Sequence, residues 1–152
     1  MTRPLTILST IDIARSPKTV WPYLVDWEGL ARWMHEAREF HVIGDQREGV
    51  GVEAEATIRI AGITTHDRIR VSHWQPPIAL EITHLGWVKG TGYMELSPIE
   101  RGCNVFWREE LYAPWGPIGR FGLKLVSRYM RLVFRRDLRL LKALVEHEVP
   151  KN

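Results

Sequence analysis

Hydrophobic and polar residues alternate along most of the chain up to Tyr112, and beyond it they recur at a helical spacing. The stretch "VGVEAEATIRI" sets Val50, Val52, Ala54, Ala56, Ile58 and Ile60 on one face and Glu53, Glu55, Thr57 and Arg59 on the other. That pattern predicts a strand with one wet side. Similar runs cover Ile63 to Trp74, Ile78 to Trp87, Gly92 to Ser97 and Cys103 to Tyr112, separated by the turn signals "AG", "QPP", "VKG" and "PIERG". Connections this short predict an antiparallel meander. Upstream, "LTILSTIDI" (Leu5 to Ile13) and "EFHVIG" also read as extended.

Between those two strands lies "RSPKTVWPYLVDWEGLARWM", with Trp21, Trp27 and Trp33 at six-residue intervals. Ser16 is a good N-cap and Pro17 sits at the first helical position, where its missing N–H costs nothing. Pro22 removes a helical hydrogen bond and bends or shortens the helix. Asp26 is placed to cap a second short helix. Tryptophans crowded into two short turns suit a lid or wall, since each covers a wide apolar surface and keeps one polar ring atom for a partner.

The chain closes on one long predicted helix, roughly Pro117 to Glu148. At about 100° per residue, Arg120, Lys124, Arg128, Arg131, Arg135, Arg139 and Lys142 share one sector. Leu125, Val126, Tyr129, Met130, Val133, Leu140 and Leu144 fall opposite. The expectation is that Leu125, Tyr129 and Val133 face the sheet while Lys124, Arg128 and Arg135 face water. The order of elements gives an α+β domain over residues 1–152, a curved antiparallel sheet wrapped around a C-terminal helix.

At 152 residues, 45% hydrophobic and 26% charged, the chain is of ordinary globular composition and sized for one core. Cys103 is the single cysteine, which rules out an internal disulfide and any CxxC metal site. No apolar run approaches the ~18 residues of a membrane span, and the start has no apolar stretch of signal-peptide length, so a cytoplasmic location is expected. The net charge of +3 argues only weakly for an acidic partner.

Four stretches, "SPKTVWPYLVDWEGLARWM", "QPPIALEI", "MELSPIERGCNVFWREEL" and "LRLLKALVEHE", taken in order, resemble the START-like polyketide cyclase/dehydrase and lipid-transport superfamily (SRPBCC). The resemblance covers nearly the whole chain and is carried by the order and spacing of its motifs. It implies the helix-grip fold, with two short helices between strands 1 and 2 and a large apolar cavity between sheet and long helix. The short helices would close one end of that cavity, and Trp21, Trp27 and Trp33 would divide between core and cavity wall. The superfamily includes aromatase/cyclases and carriers of lipids or quinones, and membership does not choose among them.

Alternation puts polar residues on the inner face. Thr65, Asp67 and His73 share the face of Ile63, Ile69 and Val71; His84 follows Ile78, Leu80 and Ile82; Trp107 and Glu109 lie between Val105 and Leu111. A carboxylate on an apolar inner face is costly unless paired, so Asp67, His84 and Glu109 are candidates for a polar group that anchors a ligand or moves a proton. The alternatives are a structural ion pair, or a register displaced by one residue that turns these side chains to water. Trp33, Trp107, Leu125, Tyr129 and Val133 complete the candidate ligand-binding set. Asp137 falls on the inner side of the long helix, with Arg136 or a sheet arginine as its possible partner.

Other motifs fail on geometry. In "HEAREFH" the histidines are six apart, whereas a zinc-binding HExxH needs four, and no metal is expected. No GK[ST] follows a glycine-rich turn, and no nucleophile signature accompanies a His and Asp. Gly116, Gly119 and Gly122 at the helix start allow a close approach of a ligand or a packing neighbour. The basic helix face is either a solvated surface or a transient contact for a membrane, and nucleic acid is not expected as a partner. The expected function is binding of a hydrophobic or aromatic small molecule, such as a lipid, polyketide or quinone-like compound, by a monomer or homodimer without a cofactor. The alternative is a polyketide cyclase/aromatase or dehydratase acting in the same cavity.

Overall fold

The computed structural model describes residues 3–114 and 116–148. Strand β1 (Leu5–Ile13) leads into helix α1 (Pro17–Val25) and a single 3-10 turn (Leu30–Arg32). Six further strands follow: β2 (Ala37–Ile43), β3 (Glu53–Ile60), β4 (Ile63–Gln75), β5 (Ala79–His84), β6 (Lys89–Ile99) and β7 (Gly102–Tyr112). Helix α2 (Gly116–His147) ends the chain. All seven strands join one sheet in the order β1-β7-β6-β5-β4-β3-β2, each pair antiparallel. This is the expected helix-grip architecture, with one difference: the second short helix is reduced to the 3-10 turn.

Alternation holds where strands are regular. Val52, Ala54 and Ala56 of the β2–β3 turn and β3, and Val105, Trp107, Glu109 and Leu111 of β7, are buried as expected. Val50 is exposed because it precedes the strand, in the turn. In β4 the phase breaks: Val71 pairs with Ile82 but His73 pairs with Glu81, so Ser72 is a bulge residue. An extra residue turns every later side chain over. His73, expected inside, is exposed, and Trp74 takes the inward position edge-on to Trp21, with ring centroids 5.4 Å apart.

The long helix lies along β1, rotated from the expected setting. Its buried face carries Ser127, Met130, Phe134, Asp137, Leu138, Leu141 and Val145. Leu125 is 64% and Tyr129 47% exposed, and Val133 is only partly buried, so the first two do not face the sheet. Lys124, Arg128 and Arg135 are exposed as expected. The reason for the rotation is that the helix has two apolar stripes. One packs inward and includes the polar Ser127 and Asp137; the other, Ile118, Phe121, Leu125, Tyr129 and Leu132, is exposed on the opposite side. A single best apolar sector falls between them.

Two truncations report this rotation. Leu141→Ala, at a site with no exposure, should cost about 2–5 kcal/mol in urea unfolding. Leu125→Ala should stay within about 0.5 kcal/mol of the parent. Equal losses would contradict the observed setting of the helix.

Candidate functional site

Between the sheet and α2 lies an apolar cavity of about 390 Å³. Its wall takes Leu24, Trp27 and Leu30 from the segment after β1, Ile69, Leu80, Ile82 and Met94 from the sheet, and Leu123, Val126, Met130 and Phe134 from α2. Size and lining suit a small apolar molecule. The polar part of the wall is confined to a few groups, among them Asp67, His84, Glu109 and Glu36.

Asp67, His84 and Glu109 stand on β4, β5 and β7, and the structure joins them. His84 Nδ1 lies 2.6 Å from Asp67 Oδ2, and His84 Nε2 lies 2.9 Å from Glu109 Oε2. Trp107 Nε1 donates to Glu109 Oε1 over 2.8 Å. The first contact spans adjacent strands. The second crosses β6, which runs between β5 and β7. It is possible because β6 presents glycine there: Gly90 pairs with His84 and Leu111, and Gly92 with Ile82 and Glu109. A Cβ on Gly92 would stand 2.6 Å from Glu109 Oε1, and one on Gly86 would stand 2.5 Å from Asp67 Oδ1. Each carboxylate therefore occupies room left by a glycine, and Gly86 and Gly92 are site residues that inspection of polar side chains alone misses. Glycine inside a strand pattern is their signal.

Burial opposes a charge on His84, but the hydrogen bonds to Asp67 and Glu109 and the charges of both outweigh it, raising its pKa to about 10. The ring is an imidazolium that donates from both nitrogens. It has no N–H left for a ligand, so what the group offers the cavity is carboxylate oxygen, with a net charge of −1 for the three side chains. Both ring nitrogens being engaged also leaves no lone pair for a metal, and the described residues hold no group of three or more His, Cys, Asp or Glu suited to a metal ion.

Trp107 is on the cavity wall, stacked on Phe134 with centroids 4.2 Å apart and braced edge-on by Trp33 at 6.1 Å. Trp33 itself is buried behind the wall, its Nε1 donating to Tyr23 O. Of the three tryptophans after β1, Trp27 is on the wall, Trp33 supports Trp107 and Trp21 packs on Trp74. Leu125, Tyr129 and Val133 do not line the cavity; Leu123, Val126, Met130 and Phe134 of the same helix do. Asp137 is completely buried and accepts from the His35 backbone N–H, and its carboxyl neighbour is Glu36 rather than an arginine. Glu36 was not a sequence candidate, because it lies at an irregular junction before β2 where no period assigns a face.

The sequence model for polyketide cyclase/dehydrase and lipid transport matches residues 5–146. No curated protein matches the sequence. Among solved structures, TTHA0849 from Thermus thermophilus is similar with 18% identity and a TM-score of 0.80, over 93% of this chain and 97% of that one. The Zhui aromatase/cyclase from Streptomyces sp. R1128 is similar with 13% identity and a TM-score of 0.80, over 97% and 96%. The di-domain aromatase/cyclase StfQ of the steffimycin biosynthetic pathway is similar with 14% identity and a TM-score of 0.77, over 95% of this chain and 52% of that one. At these identities the likeness is one of fold. Among the described residues no helix is long and apolar enough to cross a membrane.

The His84 cluster makes stability depend on pH. A histidine raised from about 6.5 in the unfolded chain to about 10 in the fold contributes fully below the lower value and loses that contribution as pH rises through the upper one. Asp67→Asn should bring the His84 titration, followed by NMR of the ring, down from that value, and His84→Gln should reduce the alkaline loss of thermal stability. A His84 ring already neutral near pH 7 in the parent would contradict the assignment.

Proposed function

This chain belongs to the polyketide cyclase/dehydrase and lipid transport family, and from that premise we propose that it binds a hydrophobic or aromatic small molecule, lipid, polyketide or quinone-like, between sheet and α2. The observation that carries this reading is the apolar cavity with the Asp67–His84–Glu109 cluster on its wall. Burial of apolar ligand surface supplies affinity at about 25 cal/mol per Å². The carboxylates of Glu109 and Asp67 supply orientation by accepting from a ligand hydroxyl.

A second reading, cyclisation or dehydration of the bound molecule, is favoured by a specific feature: the Glu109 carboxylate, held by the His84 ring and the Trp107 N–H on an apolar wall, is a positioned general base. In an aldol closure Glu109 would take a proton from the carbon beside one carbonyl. That carbon would bond to the carbon of a second carbonyl, and the proton would pass to the oxygen of the latter. The Zhui and StfQ aromatase/cyclases share the fold, which is compatible with this chemistry and does not require it.

Delivery of a ligand would need a docking surface, and the outer side of α2 has the chemistry of one for an anionic bilayer. Its exposed apolar stripe, from Ile118 to Leu132, borders a cationic sector, and residues 116–136 include six Lys or Arg and no Asp or Glu. The same end of the helix contributes Leu123 and Val126 to the cavity, beside the exposed Ile63. A ligand leaving there would pass directly into lipid.

Native mass spectrometry of protein from its own host should show a retained apolar molecule. For that molecule, Glu109→Gln should lower calorimetric affinity by about 1–3 kcal/mol, as expected for a lost hydrogen bond to a charged group. A lower melting temperature with unchanged affinity would reduce the cluster to a structural ion pair. If the molecule is converted, turnover should fall further than affinity does.

Vesicle flotation tests the docking surface. Phosphatidylglycerol-containing vesicles should bind the protein, pure phosphatidylcholine should not, and both Leu125→Asp and added salt should weaken binding. Equal binding to the two compositions, or a concentration-dependent dimer that Leu125→Asp dissolves, would overturn the bilayer as the occupant of this face.

A further inference from the structure

A second polar group reaches the same cavity from the opposite layer. Glu36, between the 3-10 turn and β2, lines the cavity although the residue is only 8% exposed. Its carboxyl meets that of Asp137, which α2 holds completely buried. Asp137 Oδ1 accepts the His35 backbone N–H over 3.0 Å. Glu36 Oε2 and Asp137 Oδ2 are both buried, and no N–H or O–H donor among the described residues reaches either. Two carboxyls in contact in an apolar interior are tolerable only with a proton between them.

The surroundings decide how many protons the pair carries. The groups that act on it are Glu109 of β7, His35 beside Glu36, and Arg136 beside Asp137. The cavity wall already bears the net negative charge of the Asp67–His84–Glu109 cluster, so a further anion in the same low-dielectric space is disfavoured. Burial raises the pKa of both carboxyls, that of Glu36 to about 9 with the contact and charge of Asp137 adding to it. Two protons on the pair would let the Asp137 O–H bridge to Glu36 and leave the Glu36 O–H to turn into the cavity.

We propose that Glu36 is a neutral carboxylic acid that donates a hydrogen bond to a carbonyl oxygen of the molecule in the cavity, with Asp137 as the positioning residue behind it. This rests on the cavity reading and adds to it. The cavity then has an accepting wall at Glu109 and Asp67 and a donating wall at Glu36, and it selects an apolar molecule bearing a ketone or quinone-type oxygen over the corresponding hydrocarbon.

The test uses two probes of the same shape, 1-tetralone and tetralin, with binding read from the fluorescence of the wall tryptophans. The parent should favour the ketone, and that preference should fall as pH rises through about 9, where Glu36 gives up its proton. Glu36→Leu should lose about tenfold of the preference while tetralin still binds. Glu36→Gln, which keeps an N–H donor and nothing to titrate, should retain the preference at every pH and decides the matter if the leucine variant fails to fold. A ketone preference indifferent to pH and to Glu36→Leu would overturn the inference and leave the cavity reading standing. Failure of the parent to bind either probe would overturn both.

Discussion

His84 meets Glu109 across β6 at the point where that strand presents Gly90 and Gly92, and the chemistry of the cavity depends on that gap. Had Gly92 been any other residue, a side chain would occupy the space over β6 and the carboxylate of Glu109 would have to move. His84 would then keep only Asp67, and an imidazolium with one partner is much harder to hold in an apolar interior. The tryptophan that orients Glu109 from the other side, Trp107, is itself fixed by Phe134 of α2 and Trp33 after β1. Backbone glycines and aromatic packing thus place a charge cluster that neither could stabilise alone.

The charge cluster in turn constrains the rest of the cavity. A wall with two carboxylates and one imidazolium has one uncompensated negative charge, and in an interior of low dielectric that charge acts on everything near it. Glu36 answers it by keeping its proton, and burial pushes Asp137 in the same direction. The two acidic groups on one cavity therefore take opposite roles for the reason that separates paired carboxyls in many sites: each environment pushes the other's protonation further from its own.

Much of this was legible in the sequence. Period-two alternation placed Asp67, His84 and Glu109 on the inner face, because β5, β7 and the first part of β4 are regular and slip in none of them. It failed at Ser72, where one bulge residue reversed His73 and Trp74, since alternation has no means of registering an unpaired residue. It failed for α2 because a helix with an apolar stripe on each side has no unique inner face until the sheet is present, and the polar Asp137 was needed inside to meet Glu36. Glu36 itself had no period to reveal it.

The double-striped helix is more than an obstacle to reading. Burying Ser127 and Asp137 while leaving Leu125, Tyr129 and Leu132 in water is the reverse of what core packing alone would select. Asp137 inside is accounted for by its bond to the His35 backbone and its pairing with Glu36, which tie α2 to the segment before β2. The exposed leucines have no such account within the described residues, yet they lie over the helix end that contributes to the cavity wall. Large apolar side chains kept contiguous on a surface, beside cations and without a single acid, cost solubility unless something covers them. A face of that composition adjoins an apolar cavity in one element: the inner side of α2 shapes the cavity wall, and its outer side carries the apolar stripe and cations on which the proposed bilayer contact rests.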